Sequence, residues 1–198
     1  MKTKLKIFTV IIGFFSLQIV GCDLLNVREG EKPDQPRGTF QYAVTYEDVI
    51  TNLTNSIKEK NTQNYLACLA DSSYSKISFS FIPSAGSSSI YPALIDNWSR
   101  NNEEQYFKNM TIRTSQDQQL NLLVKEAQAV YQGDTVVYSA KYSFLVPVFA
   151  SLETNIFQGE LKFKIIRDSR FGWTIFNWQD IKNSESPTWS ELKGQFNY

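Results

Sequence analysis

The sequence predicts an α+β domain in which N-terminal helices pack on one face of an antiparallel sheet. Apolar residues recur at helical spacing in the first half of the chain, beginning near residue 45. After residue 120, apolar and polar residues alternate along four long segments, and short turn sequences separate two pairs of these segments. Helices first and long strands afterwards indicate the α+β class.

The first predicted helix follows Thr45, whose hydroxyl is suited to cap free backbone amides. Val49, Leu53 and Ile57 then recur every four residues and form one apolar stripe that is expected to face the core. A second, shorter helix is predicted over about 62–70, with its aromatic and aliphatic side chains turned inward.

A short strand is predicted next, because Ile77, Phe79 and Phe81 alternate with serines and the run stops at Pro83. The serine-rich stretch 84–89 predicts a loop. This part of the chain is therefore expected to contribute one half-buried strand and an irregular connection.

A third helix is predicted around residues 101–110. Asn101 and Glu104 occupy positions that resemble a capping box. Tyr106, Phe107 and Met110 lie at helical spacing behind them and are expected to point into the core.

The C-terminal half of the chain predicts four strands, Leu120–Tyr131, Asp134–Val146, Asn155–Arg167 and Gly172–Asp180. A Gly-Asp pair at 133–134 predicts a hairpin turn between the first two. The second and third of these strands each carry one apolar, aromatic-rich face and one polar face. The last strand carries apolar residues on both faces from Trp173 to Trp178, which predicts a central strand or one that borders a partner surface.

The N-terminus carries the features of a secretion signal, with three lysines followed by a mostly apolar run over 7–20. That run has about 14 residues, whereas a membrane-spanning helix needs roughly 20. The tetrapeptide Ile-Val-Gly-Cys at 19–22 resembles the bacterial lipobox, which implies cleavage before Cys22 and acylation of that cysteine. The alternative is an ordinary signal cut nearby, with Cys22 incidental.

The predicted organisation has three parts: residues 1–21 are a lipoprotein signal peptide, 22–38 a flexible tether broken by prolines, and 39–198 one α+β domain. The expected location is the bacterial cell envelope, with the chain held at a membrane by its N-terminal lipid. The sequence does not distinguish the inner membrane from the outer one.

Composition excludes several classes of function. The chain contains no histidine, which rules out Ser-His-Asp and Cys-His catalytic arrangements, and no metal site or cofactor is predicted from its scattered acids. Acidic and basic residues balance over the whole chain, so no basic surplus favours nucleic acid. Cys68 lies in an apolar helical segment and is expected to be a small buried hydrophobe rather than a nucleophile.

The order of these elements resembles the nuclear-transport-factor-2-like superfamily, which includes ketosteroid isomerase and polyketide-cyclase-like proteins. The resemblance rests on an amphipathic helix, a short helix ending Ala-Cys-Leu-Ala-Asp at 67–71, Phe-Ser-Phe-Ile-Pro at 79–83 and Gly-Trp-Thr-Ile-Phe-Asn-Trp-Gln-Asp at 172–180. Within this superfamily, the sequence most resembles the lipid-anchored bacterial members. The resemblance implies a curved sheet around a conical cavity. Its candidate lining residues are Phe79, Phe81, Tyr138, Tyr142, Phe144 and Trp178.

Enzymes of this family place an acid or a histidine in that cavity, but none of Glu126, Glu153, Glu160 or Asp180 is assigned to it from the sequence. Glu160 alternates with lysines and is expected on a solvated face, while Asp180 is expected to pair with a helix end or a turn. No catalytic residue is predicted.

Three functional hypotheses follow. The preferred one is a non-catalytic envelope module that binds a small apolar ligand or another envelope protein. The alternative is an isomerase- or dehydratase-type enzyme that uses one buried carboxylate with a tyrosine as hydrogen-bond donor. The third is a structural domain whose last strand supports a homodimer.

Overall fold

The computed structural model describes residues 38–94, 97–114, 117–147 and 155–197, all within the compact unit Arg37–Tyr198. Its helices are α1 (Tyr46–Lys58), α2 (Thr62–Ala67), α3 (Ser87–Ile90), α4 (Arg100–Arg113) and α5 (Trp189–Phe196). Its strands are β1 (Ser80–Ile82), β2 (Asn121–Gln132), β3 (Thr135–Leu145), β4 (Ile156–Asp168) and β5 (Gly172–Ile181). The predicted signal peptide, nearly all of the tether and Cys22 lie outside these residues. Within them, no helix has the length and apolarity to cross a bilayer.

The strands form one sheet in the order β1-β5-β4-β3-β2. The short strand β1 pairs parallel with β5, and the other neighbours are antiparallel. The helices pack against one face of this sheet. The predicted α+β class and the predicted antiparallel character of the four long strands are therefore confirmed.

The predicted inward faces are also confirmed. The stripe Val49, Leu53 and Ile57 of α1 is buried, and Thr45 caps the helix through a reciprocal pair of hydrogen bonds with Asp48. Residues of β3 and β4 that alternate in the sequence alternate in burial in the structure. Glu160 lies on the half-exposed face of β4, as expected.

A β-bulge explains the two-faced last strand. Lys164 of β4 pairs with Asn177, but Ile165 pairs with Ile175, so Phe176 is an extra residue in β5. This insertion reverses the alternation, and Trp178 therefore becomes buried although it lies three residues after Ile175. The strand is also central, because β5 lies between β1 and β4.

The cap of α4 differs from the prediction. Ser99, not Asn101, precedes the helix, and its backbone N–H donates to Asn102 Oδ1 at 3.0 Å. Asn102 takes the role that the sequence suggested for Glu104, because the helix begins earlier and Asn102 is the residue three positions after its N-cap. The inward residues Tyr106, Phe107 and Met110 are buried as expected.

Three further predictions are corrected. Helix α2 ends at Ala67 because the next residues pair with the sheet instead, with Ala70 N–H donating to Ile175 O at 2.8 Å. Strand β1 has three residues, and Ile77 before it is exposed. The predicted loop 84–89 contains the start of α3, whose first residue, Ser87, is held by a hydroxyl contact to Ser84 at 2.6 Å.

Candidate functional site

Helix α5 packs its buried face between the sheet and α4. The side chains of Trp189, Leu192, Lys193 and Phe196 are all buried there. The Trp189 ring lies 4.5 Å from that of Trp178, centroid to centroid, in an edge-to-face arrangement. The C-terminal helix thus fills the space between the sheet and α4.

A carboxylate lies beneath this helix. Glu103 of α4 is fully buried, and both of its oxygens have partners. Tyr65 Oη donates to Oε2 at 2.7 Å, and Trp98 Nε1 donates to Oε1 at 2.7 Å. Lys193 Nζ of α5 also donates to Oε1 and completes a buried ion pair. Burial, followed by the charge of Glu103, raises the pKa of Tyr65 well above its usual value.

The ammonium group of Lys193 is enclosed by aromatic rings. Its Nζ lies 3.7 Å from the ring centroid of Phe81 and 3.7 Å from that of Trp178, so it contacts the electron-rich ring faces. The rings of Trp98 and Tyr106 lie farther away. Burial lowers the pKa of Lys193 to about 8, although the charge of Glu103 opposes that shift.

A second buried carboxylate, Asp180, fixes the start of α5. Its Oδ2 accepts from the backbone N–H and the hydroxyl of Ser190 at 2.7 and 2.5 Å, and its Oδ1 accepts from Tyr142 Oη at 2.8 Å. Tyr142 Oη in turn accepts from the backbone N–H of Trp189 at 2.7 Å. The expectation that Asp180 pairs with a helix end is confirmed.

All six predicted cavity-lining residues are buried: Phe79, Phe81, Tyr138, Tyr142, Phe144 and Trp178. Four of them surround α5. Phe81 and Trp178 contact Lys193, while Tyr142 and Phe144 pack against Trp189. Tyr138 instead packs beside Tyr46 and Phe163, and Phe79 lines a surface pocket near the start of α4.

Glu103 and Lys193 were not identified as site residues from the sequence, although helical spacing contains the signal. Glu103 precedes the inward residues Phe107 and Met110 by four and seven positions, which places it on the apolar face of α4. Lys193 follows Trp189 by four positions and lies on the apolar face of α5 in the same way. A charged residue within the apolar stripe of a helix is therefore the sequence pattern that indicates a buried charge.

Open pockets lie on the opposite, outer face of the sheet. One of about 260 Å³ is lined by Leu123, Lys125, Ser143 and Gln158, among others. A neighbouring pocket of about 210 Å³ includes Glu160. Glu126 and Lys141 line both, and their side chains form an ion pair at 2.5 Å.

The surface pocket near the start of α4 has a volume of about 320 Å³ and is lined by Asp71, Ser78, Phe79 and Arg100, among others. The guanidinium of Arg100 lies 3.7 Å from Asp71, so the charges in this pocket are already paired. In the part of the chain that the structure describes, no group of three or more acidic or cysteine side chains converges as a metal site would require.

Comparison with known proteins identifies the fold. No protein-family model and no curated protein matches the sequence. Among solved structures, the chain is similar to a candidate scytalone dehydratase from Novosphingobium aromaticivorans, with a TM-score of 0.53 and 4% identity over 72% of this chain and 88% of that one. It is also similar to Bd1075 from Bdellovibrio bacteriovorus, with a TM-score of 0.50 and 7% identity over 71% of this chain and 40% of that one.

A further similar structure is a candidate dehydratase of the NTF2-like family from Streptomyces avermitilis, with a TM-score of 0.48 and 9% identity over 69% of this chain and 91% of that one. At such low identity, structural similarity shows the fold alone. The chain therefore shares its fold, a sheet with helices packed on one face, with the candidate scytalone dehydratase.

Proposed function

We propose that this chain is a lipid-anchored protein of the bacterial envelope whose NTF2-like domain is a non-catalytic interaction module. The observation that carries this proposal is the position of α5. Its buried residues occupy the interior, and the two buried carboxylates beneath and beside it, Glu103 and Asp180, are engaged by groups of the protein itself.

A catalytic carboxylate must lie within hydrogen-bond reach of the group whose proton it transfers. Glu103 accepts from Tyr65, Trp98 and Lys193, and Asp180 accepts from Tyr142 and Ser190. A substrate would have to displace α5 to reach either acid. The polar groups of the interior therefore serve to hold α5 in position rather than to catalyse a reaction.

The outer face of the sheet is the favoured binding surface. Lys125 and Lys141 lie directly opposite each other on β2 and β3, and Glu160 lies opposite Lys141 on β4. Leu145 and Ile156 are paired near one end of this face, and both are exposed. Mixed charges beside exposed aliphatic side chains suit another envelope protein better than an apolar small molecule.

The anchor is proposed from Cys22 and the signal that precedes it. Stable membrane attachment by lipid requires more than one acyl chain, which lipobox processing provides. A tether of about 16 residues would then connect the lipid to the described domain.

The interaction proposal is tested by site-specific photocrosslinking in intact envelopes. A photoreactive residue at Lys141 of the outer face should give a defined crosslinked product, whereas the same residue at the exposed Lys58 of α1 should not. Equal products from both positions, or none from either, would contradict the proposed surface. A parallel thermal-shift screen would show whether a small ligand binds instead.

Isomerase or dehydratase activity is the second candidate, and one observation favours it. The buried Glu103 accepts a hydrogen bond from Tyr65, which is the carboxylate-and-tyrosine combination that such an enzyme requires. Turnover of enolisable or β-hydroxy ketones by the wild-type chain, lost in Glu103→Gln but kept in Glu104→Gln, would replace the non-catalytic proposal with this one.

A further inference from the structure

Two helices meet at the ion pair between Glu103 and Lys193, and neither side chain is exposed to solvent. Removing two opposite charges from water is costly, and their attraction does not always repay that cost. The structure nevertheless brings a primary amine and a carboxyl group into direct contact, although they lie 90 residues apart in the chain.

We propose that Lys193 and Glu103 condense to form an intramolecular isopeptide bond that joins α5 to α4. A bond forms between Lys193 Nζ and Glu103 Cδ, and one carboxyl oxygen of Glu103 leaves as water. The reaction needs no oxidant, reductant or external acyl donor. It is independent of the function proposed above.

The first step is proton transfer within the pair. The ammonium of Lys193 already donates to Oε1, and passing its proton to that oxygen gives a neutral amine and a neutral carboxylic acid. Burial favours the neutral amine, since it lowers the pKa of Lys193 to about 8. Asp180 also acts on Lys193 through its charge, but its own oxygens are bound to Tyr142 and Ser190.

The second step is attack of the amine lone pair on Cδ. Negative charge develops on the carboxyl oxygens in the resulting tetrahedral intermediate. Tyr65 Oη and Trp98 Nε1 already donate to those two oxygens, so they are positioned to stabilise that charge. Collapse of the intermediate breaks one C–O bond, and the two protons lost from Nζ during the reaction leave in the water molecule.

The product removes both buried charges from the interior. An amide has no net charge, and the aromatic rings of Phe81 and Trp178 then pack against a neutral group. The bond also closes a covalent ring that contains β2 to β5, so α5 is held in place even when the rest of the fold opens.

Mass spectrometry of the full chain after denaturation and cleavage at arginine tests this proposal. Such cleavage separates segment 101–113, which contains Glu103, from segment 171–198, which contains Lys193. The two segments are expected as one species, lighter by one water molecule than their sum, with fragment ions that assign the junction to these two residues. Recovery of only the separate, unmodified segments from protein aged at alkaline pH would overturn the proposal.

Two variants complete the test. Lys193→Met keeps a long apolar chain but removes the amine, so the joined species should be absent. Lys182→Met removes the amine of an exposed ion pair with Glu191 beside the same helix, and the joined species should persist. If the joined species persists in Lys193→Met, or disappears in Lys182→Met, the assignment of the bond is wrong.

Discussion

Gly159 permits the hydrogen-bond network that positions the C-terminal helix, and Gly159→Ala should therefore destabilise the domain. The residue lies opposite Tyr142 on the neighbouring strand. A Cβ at this position would lie 2.8 Å from Tyr142 Oη and 2.7 Å from the carbonyl oxygen of Ile181. Carbon atoms do not approach oxygen so closely, so the tyrosine or the strand must shift.

The expected magnitude combines two effects. Overpacking of a well-packed core costs about 1–3 kcal/mol. Displacement of Tyr142 Oη also weakens its hydrogen bonds to Asp180 and Trp189, and a buried polar group left without a partner costs about 1–3 kcal/mol more. We therefore expect a loss of about 3 kcal/mol in the free energy of unfolding, with partial relief if the tyrosine ring can move.

Equilibrium urea unfolding, followed by tryptophan fluorescence, measures this loss. Lys164→Ala on the same strand is exposed and should change stability by less than about 0.5 kcal/mol. In a Tyr142→Phe background the added methyl group no longer meets the hydroxyl, so Gly159→Ala should cost less there. A loss of under about 0.5 kcal/mol in the wild-type background, or the same loss in both, would refute this explanation.

Further outcomes are expected for Trp189, Cys68 and Cys22. Trp189→Ala should cost about 3–5 kcal/mol in unfolding free energy, because the ring is fully buried against Trp178 and Phe144; a loss under about 1 kcal/mol would contradict the packing role of α5. Burial raises the pKa of the Cys68 thiol well above its ordinary value of 9.0, so the unfolded thiol loses its proton first and stability should fall as pH rises above that value. Because Cys68 is buried, thiol-reactive probes should label it only when the fold opens, and rapid labelling of folded protein would be inconsistent with its position. Cys22→Ser should release the chain from membranes into the soluble fraction after cell breakage, whereas Cys68→Ser should not.

The elements that follow simple periodicity could be predicted from the sequence. Strand β3 and helix α1 each bury one face with regular spacing, and their residues alternate or recur accordingly. Strand β5 could be recognised as central, but the bulge at Phe176 could not, because an inserted residue depends on the register of the neighbouring strand.

The residues of the candidate site are harder to predict from the sequence. The aromatic residues around it can be predicted because they alternate along strands, whereas Glu103 and Lys193 come from helices that meet only in the folded chain. Burial of a charge depends on such tertiary pairing, so local sequence indicates an unusual position without identifying the partner. For Asp180, a pairing with a helix end or a turn could be predicted because the residue lies where the last strand ends, whereas its partner Ser190 could not.

The two edge strands of the sheet, β1 and β2, differ in how they limit unwanted strand addition. Strand β1 offers only three residues to an approaching chain, but β2 is long and has no further neighbour among the described strands. Glu126 interrupts β2 with a left-handed backbone (φ 53°) that shifts its register against β3. A chain adding to β2 would meet that irregularity together with the charge of Lys125, and both features discourage fibrillar association.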